Sequence, residues 1–72
     1  MPMRYAIVIE AAGDNYSAYV PDSPACIATG STLKETEEPI REAIGFHLES
    51  LRADDLPIPP AVSRVDYVEV AA

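Results

Sequence analysis

Carboxylates are the most numerous side chains in this sequence that could do chemistry. The chain has 72 residues, of which twelve are Asp or Glu, and convergent carboxylates can hold the metal ions of a hydrolytic site. Such acids would have to face one another from strand interiors. Glu10 instead ends an apolar stretch, Asp14 and Asp22 stand in turn-like segments, and Glu37 and Glu38 stand near a predicted helix start. We therefore predict solvated surface acids, no catalytic residue, no cofactor and no metal; a metal-dependent hydrolase is the remote alternative.

Two further residues, His47 and Cys26, could be reactive. One histidine and one cysteine cannot form a structural zinc site, which takes four such ligands. His47 falls on the apolar side of a predicted helix without a second ligand at matching spacing, so a packed, hydrogen-bonded histidine is favoured over a general base. Cys26 has no cationic neighbour in sequence that would favour the thiolate, so we expect a buried, inert thiol.

The charge balance favours a protein partner over a nucleic acid. The formal net charge is -7, with only five Lys and Arg residues scattered along the chain. Because phosphate backbones require several cations, we expect no direct binding of nucleic acid. A basic protein fits better, since opposite fields steer encounter. The alternative, that the charge only maintains solubility, stays open.

Length and composition predict a single domain over residues 1–72. No apolar run approaches the ~20 residues of a membrane span, and no basic stretch followed by an apolar stretch marks a signal peptide. We therefore expect a cytoplasmic protein without membrane contact. A domain this short has a marginal core, and a lone cysteine allows no internal disulfide. We therefore expect the chain to compensate for its small core by self-association as a homodimer or higher homo-oligomer.

Three strands are predicted before residue 31. Residues 3–10 are almost entirely apolar, which is typical of a strand covered on both faces. Residues 15–20 alternate, and the short link at 11–14 makes the pair a hairpin. Pro21 and Pro24 break this second strand, and residues 25–29 predict a third strand that ends at Gly30.

A long helix is predicted from Thr32 to about Asp54. Thr32 followed by Glu35 fits a capping box. Pro39 removes a backbone donor from the helix interior, so we expect the helix to continue with a local irregularity. The apolar residues that recur at helical spacing are Leu33, Ile40, Ala43, Ile44, His47, Leu48 and Leu51.

Residues 64–70 alternate again after a Pro-rich connector at 56–60, which predicts a fourth strand. The order β-β-β-α-β predicts an α+β fold: a three-stranded antiparallel meander and a right-handed return that places the last strand parallel beside the first. The predicted strand order is 3-2-1-4. One helix covers one face of that sheet, so we expect a second copy of the chain on the other face.

Three ordered motifs make the sequence resemble the HicB antitoxin family over nearly its whole length. They are Pro-Asp-x-Pro-x-Cys at residues 21–26, Thr-Gly-x-Thr-Leu at 29–33 and Pro-Ile-Pro at 57–59. The chain departs from the family at Ser23, where a larger apolar residue is common, at Ala25, where glycine is common, and at Pro39, where a helix-friendly residue is usual.

The resemblance implies a degenerate, partial RNase H-like fold, in agreement with the predicted element order. It also implies a prokaryotic type II toxin-antitoxin system in which the chain silences a HicA-type toxin, a small basic ribonuclease that cleaves mRNA. Many members add a C-terminal domain that binds the operon's promoter. The chain ends where that domain would begin, so we expect toxin binding and no C-terminal DNA-binding domain.

Six residues are predicted to contact the partner: Tyr16, Tyr19, Asp22, Glu38, Glu42 and Phe46. Phe46 lies about 120° around the helix from the centre of the apolar stripe, which favours an interface over packing on the flank. Tyr16 and Tyr19 alternate, so one of them must face away from the helix, toward a partner or a second copy. The acidic outer side of the helix would cover the cations of a basic ribonuclease, unless these acids are merely solvated.

The predicted function is therefore that of an antitoxin, which occludes a HicA-type ribonuclease. The alternative is a stand-alone oligomeric binding or regulatory domain of the same fold without a toxin partner.

Overall fold

A computed structural model describes residues 3–71 as three antiparallel strands followed by one helix. The strands are β1 (Val8–Ala12), β2 (Asn15–Tyr19) and β3 (Ile27–Gly30), and the helix is α1 (Leu33–Ala53). The strands lie side by side in the order β1-β2-β3. The helix packs on one face of the sheet, chiefly over β3 and then β2. The α+β class, the meander and the single covering helix are thus confirmed.

The β1–β2 hairpin closes through a two-residue turn at Gly13 and Asp14, because Ala12 pairs directly with Asn15. Gly13 has a φ of 68°, a left-handed backbone that glycine adopts without the clash of a Cβ atom. The turn is shorter than the predicted link at residues 11–14, and β1 accordingly runs two residues beyond the predicted end at Glu10.

β1 begins five residues later than the sequence predicts, because β2 ends opposite it. Val8 pairs with Tyr19, and beyond that pair the chain of β2 turns away. The carbonyl of Val20 accepts a hydrogen bond from the Ser23 N–H at 3.0 Å, and Pro21 has no N–H to offer a neighbouring strand. Residues 3–7 therefore lie alongside the domain without strand pairing.

The core lies between the sheet and α1 and is small. Its buried apolar residues are Ala18, Val20, Cys26 and Ile40. Ile9 is the cross-strand partner of Ala18, which also pairs with Ala28, and direct partners share one face of a sheet. These three residues therefore define the side that faces the helix. Tyr5, Ile7 and Ile44 pack against the rim of this core.

The start of α1 confirms the predicted cap and corrects the predicted apolar stripe. The Glu35 N–H donates to the Thr32 hydroxyl oxygen at 3.1 Å. Leu33, predicted on the buried side, is 53% exposed, whereas Thr36 is fully buried. The Thr36 hydroxyl donates to the Thr32 carbonyl at 2.7 Å, so its burial leaves no hydroxyl without a partner. The residue buried in the first turns of the helix is therefore Thr36, whose hydroxyl has a hydrogen-bond partner, and not Leu33, which the periodicity predicts.

The helix continues through Pro39, as predicted. Proline has no N–H, so the carbonyl of Glu35 loses its α-helical donor. The end of β3 approaches this point closely. A Cβ atom on Gly30 would lie 2.7 Å from the Glu35 carbonyl oxygen and 2.6 Å from the Thr36 hydroxyl oxygen. The absence of a side chain at Gly30 lets the sheet reach the first turns of the helix.

The helix ends in a Schellman motif. Asp55 has a φ of 54°, its N–H donates to the Arg52 carbonyl at 3.2 Å, and the Leu56 N–H donates to the Leu51 carbonyl at 2.8 Å. These bonds satisfy carbonyls that the last helical turn would otherwise expose. The prolines that follow at 57, 59 and 60 exclude further helix.

Within residues 3–71 the predicted fourth strand at 64–70 is not shown, whereas the order β1-β2-β3 agrees with the first three members of the predicted order 3-2-1-4. The connector is tied to the domain where the Tyr5 hydroxyl donates to the Pro59 carbonyl at 2.5 Å, and where Ser63 bonds Asp22. Beyond Ser63, residues 64–71, here named the C-terminal segment, are all exposed and have no regular secondary structure. The alternation of apolar and polar residues indicates that a segment can form a strand. It does not indicate which edge of the sheet that strand would join. Within residues 3–71, β1 is therefore an edge strand, not the central one.

Candidate protein interaction surfaces

The outer side of α1 carries a continuous row of exposed residues that we name the acidic helix stripe: Glu35, Glu38, Glu42, Phe46 and Glu49. Steps of three and four residues place them on one side of the helix, opposite the side of buried Ile40. Phe46 is 80% exposed. A large apolar ring among four carboxylates combines an apolar anchor with a strong local negative charge.

The face of the sheet away from the helix carries an apolar row, and we name it the open sheet face. Val8 pairs directly with Tyr19, and Tyr19 pairs directly with Ile27, so the three side chains line up across all three strands. Tyr19 is 41% exposed and Ile27 is 70% exposed. Cross-strand rows of this kind are in contact with one another, and here no element of residues 3–71 covers the row.

A third surface is a groove of about 390 Å³ between the start of the chain and α1, which we name the β1 groove. α1 packs chiefly over β3 and β2, and the groove lies between the helix and residues 3–7, which precede β1. Its apolar floor is formed by Ile7, Ile40 and Ile44, and its charged rim by Arg4, Glu37 and Arg41.

Asp22 has a structural partner. Its carboxylate accepts from the Ser63 N–H at 2.8 Å and from the Ser63 hydroxyl at 2.7 Å. These two hydrogen bonds, the hydroxyl first, lower the pKa of Asp22 from its ordinary value of 3.8, because donors stabilise the charged form. This acid of the Pro-Asp-x-Pro-x-Cys turn therefore fixes the chain at Ser63, just after the Pro-rich connector.

The same turn buries its serine and its cysteine. The Cys26 N–H donates to the Ser23 carbonyl at 2.9 Å, and the Ser23 hydroxyl and the Cys26 sulfur lie 3.4 Å apart. The Cys26 thiol also lies 3.9 Å from the carbonyl of Ala43 in α1. The expected buried thiol is thus present, and it joins the turn to the helix. Ser23 is only 5% exposed, and the Cys26 thiol gives its hydroxyl a polar partner.

The six predicted contact residues fall on separate parts of the domain. Glu38, Glu42 and Phe46 lie together on the acidic helix stripe. Tyr19 lies on the open sheet face, so it is the tyrosine that faces away from the helix. Tyr16, three positions earlier, is half-buried on the helix-facing side, where it pairs with Gly30.

A flat partner surface cannot contact Tyr19 and Phe46 at once, because the sheet and the helix lie between them. The open sheet face and the β1 groove were not predicted, since each depends on strand register and on where the helix packs. The sequence placed Val8 in one predicted strand and Tyr19 in the next, but it did not indicate that the two residues pair.

Acidic and ligating side chains do not gather in the described part of the chain. Among residues 3–71, no group of three or more His, Cys, Asp or Glu residues is placed to hold a metal ion. His47 is half-buried, as its position on the apolar stripe predicts. The same residues contain no helix that is both long enough and apolar enough to cross a membrane.

Comparison with known families adds the decisive observation. A family model described as "HicB_like antitoxin of bacterial toxin-antitoxin system" matches residues 5–71. The chain belongs to the HicB-like antitoxin family. The match includes the acidic helix stripe and the open sheet face and extends through the C-terminal segment, so that segment is part of the HicB-like module.

Individual relatives agree with this assignment. An uncharacterized 14.9 kDa protein from the rep-hol intergenic region of Haemophilus phage HP1 is 39% identical over 66 residues, which are 92% of this chain and 50% of the relative. The chain thus spans half the length of that phage protein. A UPF0150 protein of Thermoplasma acidophilum is 38% identical over 58 residues, covering 79% of this chain and 84% of the relative. A UPF0150 protein of Helicobacter pylori is 39% identical over 49 residues, 68% of each chain. No solved structure matches significantly.

Proposed function

We propose that this HicB-like chain acts as the antitoxin of a type II toxin-antitoxin system. Its partner would be a HicA-type toxin, a small basic ribonuclease that cleaves mRNA. The observation that supports this proposal most strongly is the acidic helix stripe. It presents four carboxylates and an 80% exposed Phe46 on the side of α1 that the domain does not use for its own core.

Electrostatics explains how such a stripe can silence a ribonuclease without any chemistry. A ribonuclease must hold RNA phosphates with Lys and Arg side chains. Carboxylates spaced along one side of a helix can cover those cations, and RNA then competes with the antitoxin for the same groups. Opposite fields also speed the encounter between the two proteins. Occlusion therefore requires only a stable complex.

Phe46 would supply the apolar part of the contact. Binding energy is concentrated in a few residues near the centre of an interface, often aromatic, that are surrounded by polar groups which exclude water. Phe46 follows Glu42 by four positions and precedes Glu49 by three, so it lies between carboxylates on the stripe. This arrangement matches an anchor with a charged rim.

The test is co-expression with the product of the adjacent gene, followed by co-purification and an mRNA cleavage assay. The double variant Glu38→Lys/Glu42→Lys is expected to lower the affinity for the toxin by roughly tenfold or more and to restore cleavage. The matched control is Glu10→Lys/Asp14→Lys, which makes the same change of charge at the β1–β2 hairpin. The proposed site would be contradicted if Glu38→Lys/Glu42→Lys still inhibited cleavage fully. It would also be contradicted if both double variants lost affinity for the toxin equally.

Ionic strength provides a second test on the unmodified protein. Exposed opposite charges are screened at high salt, so the dissociation constant of the complex should rise steadily from low to high salt. A complex whose affinity does not change with salt would contradict the electrostatic contact.

Several finer expectations accompany this proposal. They are the degenerate RNase H-like character of the fold, a cytoplasmic location, the absence of direct binding to nucleic acid and a single domain. The β1-β2-β3-α1 order supports the first of these, and the negative net charge supports the third.

A second candidate function is a stand-alone oligomeric binding or regulatory domain without a toxin. The apolar row of the open sheet face favours it, because Tyr19 and Ile27 are exposed at the centre and edge of the sheet and such rows are typical of interfaces between copies. An oligomer that does not bind the product of the adjacent gene would favour this second function.

A further inference from the structure

Gly45 lies inside α1 next to Phe46, and the packing of the domain does not explain a glycine there. Except for proline, glycine is the least favourable residue of a helix interior. It is required where the backbone has a positive φ, as at Gly13, or where another element approaches closely, as at Gly30. Apart from its chain neighbours and the adjacent helix backbone, no atom of residues 3–71 lies within 4 Å of a Cβ placed on Gly45. The missing side chain therefore leaves open space on the helix surface.

This open space is one corner of a four-residue hole on the outer side of the helix, which we name the Gly45 hole. The other corners are Glu42, Phe46 and Glu49, and all four residues are exposed. Positions i, i+3, i+4 and i+7 are the four that surround a side chain inserted by a partner when helices pack as knobs into holes. Because one corner has no side chain, the hole reaches down to the helix backbone.

The walls of the Gly45 hole combine negative charge with an aromatic surface. Glu42 and Glu49 stand at its two ends, seven positions apart, which is about 10 Å along the helix axis. A group at the centre is therefore within reach of both flexible carboxylates. Phe46, which is 80% exposed, forms the wall opposite Gly45. The hole is thus lined by one ring and closed at each end by one carboxylate.

Two cations of the chain itself lie near the hole, and both lie on the side away from Phe46. Arg41 is four positions before Gly45, and Arg52 is seven positions after it, so the helical period places both beyond the Gly45 corner. Arg41 also lines the β1 groove. A cation that enters against the Phe46 ring therefore meets the two carboxylates before it meets either arginine.

An arginine side chain matches each part of this hole. Its three methylene groups can lie over the bare backbone at Gly45, and its planar guanidinium can stack on the Phe46 ring. Its N–H groups can donate to the carboxylates of Glu42 and Glu49 in charge-assisted hydrogen bonds. A lysine lacks the planar group that stacks. An apolar side chain would remove water from both carboxylates without giving them a partner.

We propose that the Gly45 hole receives one arginine of the toxin, and that Gly45 determines which toxins the antitoxin accepts. The inference rests on the proposed function and deepens it, because it assigns one cation of the partner to one defined place on the acidic helix stripe. A side chain at position 45 would occupy the hole. A toxin whose arginine is at this place would then be excluded.

The direct test replaces Gly45 with leucine, which favours the helix. The urea midpoint of Gly45→Leu should rise, while its affinity for the co-purified product of the adjacent gene should fall by about tenfold or more, as expected for a central contact. Gly45→Ala fills less of the hole and should lower the affinity by roughly threefold. The loss of binding cannot then be attributed to unfolding, since stability changes in the opposite direction.

Ala53→Leu is the matched control. It also adds an uncharged side chain at an exposed position of α1, four residues beyond the last carboxylate of the stripe, and should change the affinity less than about twofold. An unchanged affinity in Gly45→Leu would overturn the proposal. An equal loss of affinity in Ala53→Leu would overturn it as well, because the effect would not be specific to the hole.

A double-mutant cycle identifies the arginine. Each arginine of the toxin is changed to alanine and its affinity is measured against both the unmodified chain and Gly45→Leu. One toxin arginine is expected whose loss weakens the complex with the unmodified chain by about tenfold but the complex with Gly45→Leu by less than about twofold, because the hole is then already filled. If the loss from every toxin arginine adds fully to the loss from Gly45→Leu, the hole does not receive an arginine and the proposal is wrong.

These measurements separate the failure of the hole from the failure of the antitoxin function. If the toxin binds the unmodified chain and Gly45→Leu equally well, the hole is refuted and the antitoxin function stands. If the product of the adjacent gene does not bind the unmodified chain at all, the antitoxin function fails and the hole fails with it. Affinity that is lost in Gly45→Leu and kept in Ala53→Leu supports both.

Discussion

Asp22 and Ser63 are 41 positions apart in the sequence, yet both carboxylate oxygens of Asp22 accept hydrogen bonds from Ser63, one from its backbone N–H and one from its hydroxyl. Asp22 lies in the turn after β2, and Ser63 lies immediately before the C-terminal segment. The pair therefore decides where that segment leaves the domain. The acid of the Pro-Asp-x-Pro-x-Cys motif has this structural role whether or not it also contacts a partner.

The first prediction concerns the pH dependence of this pair. The hydrogen bonds from Ser63 lower the pKa of Asp22 below 3.8, so their contribution to stability is complete above that value and is lost as pH falls through the lower, folded pKa. An NMR titration should give a midpoint for the Asp22 carboxyl below 3.8, and the Ser63 amide signal should move with it. A midpoint at or above the ordinary value, or a Ser63 signal that does not follow it, would contradict the pair. Asp14→Asn, in the β1–β2 turn, is the control that should leave the Ser63 titration unchanged.

The second prediction concerns the contact of Gly30 with the start of α1. Gly30→Ala places a Cβ atom 2.7 Å from the Glu35 carbonyl oxygen, so the helix must shift, at a cost of about 1–3 kcal/mol of unfolding free energy. Gly45→Ala is the matched control. Nothing lies within 4 Å of a Cβ at Gly45, and alanine in an exposed helix interior stabilises by about 0.5–1 kcal/mol. Urea denaturation of both variants measures these opposite changes, and equal changes would refute the close approach.

The third prediction concerns the end of the helix. Asp55 holds a φ of 54°, a region that is disfavoured for residues with a side chain and free for glycine. Asp55→Gly should raise the unfolding free energy by about 0.5–1 kcal/mol. Asp54→Gly, one residue earlier with a φ of -96°, removes the same carboxylate without relieving strain and should not stabilise. A thermal melt of the two variants distinguishes them, and a gain at Asp54 as large as that at Asp55 would argue against the Schellman geometry.

Local signals predicted the helix and part of the candidate site. The Thr32 cap was predicted because it depends on residues within one turn, and the hydrogen bond from Glu35 confirms it. The shared position of Glu38, Glu42 and Phe46 follows from the helical period alone. Features set by distant contacts were not predictable. Tyr16 faces the helix because of its register with Gly30.

The fourth strand shows the same limit more clearly. Residues 64–70 have the composition and alternation of a strand, and the prediction of a strand-like segment was reasonable. A strand, however, is formed by its partner's backbone as much as by its own residues. The sequence holds no information about which backbone edge the segment would join, so its place in the order 3-2-1-4 stays a prediction.

The last prediction uses the opposite positions of Tyr19 and Phe46. Phe46 is 80% exposed on the outer side of α1, and Tyr19 is 41% exposed on the open sheet face. If the acidic helix stripe binds the toxin, Phe46→Ala should weaken the complex by roughly thirtyfold, corresponding to the ~2 kcal/mol of a hot-spot residue, while Tyr19→Ala changes its affinity less than about twofold. Both substitutions remove exposed aromatic rings, so neither should lower the unfolding free energy by more than about 0.5 kcal/mol. Calorimetric titration against the purified toxin measures the affinities. A large loss for Tyr19→Ala with none for Phe46→Ala would move the toxin site to the open sheet face, because one flat partner cannot contact both sides of the domain.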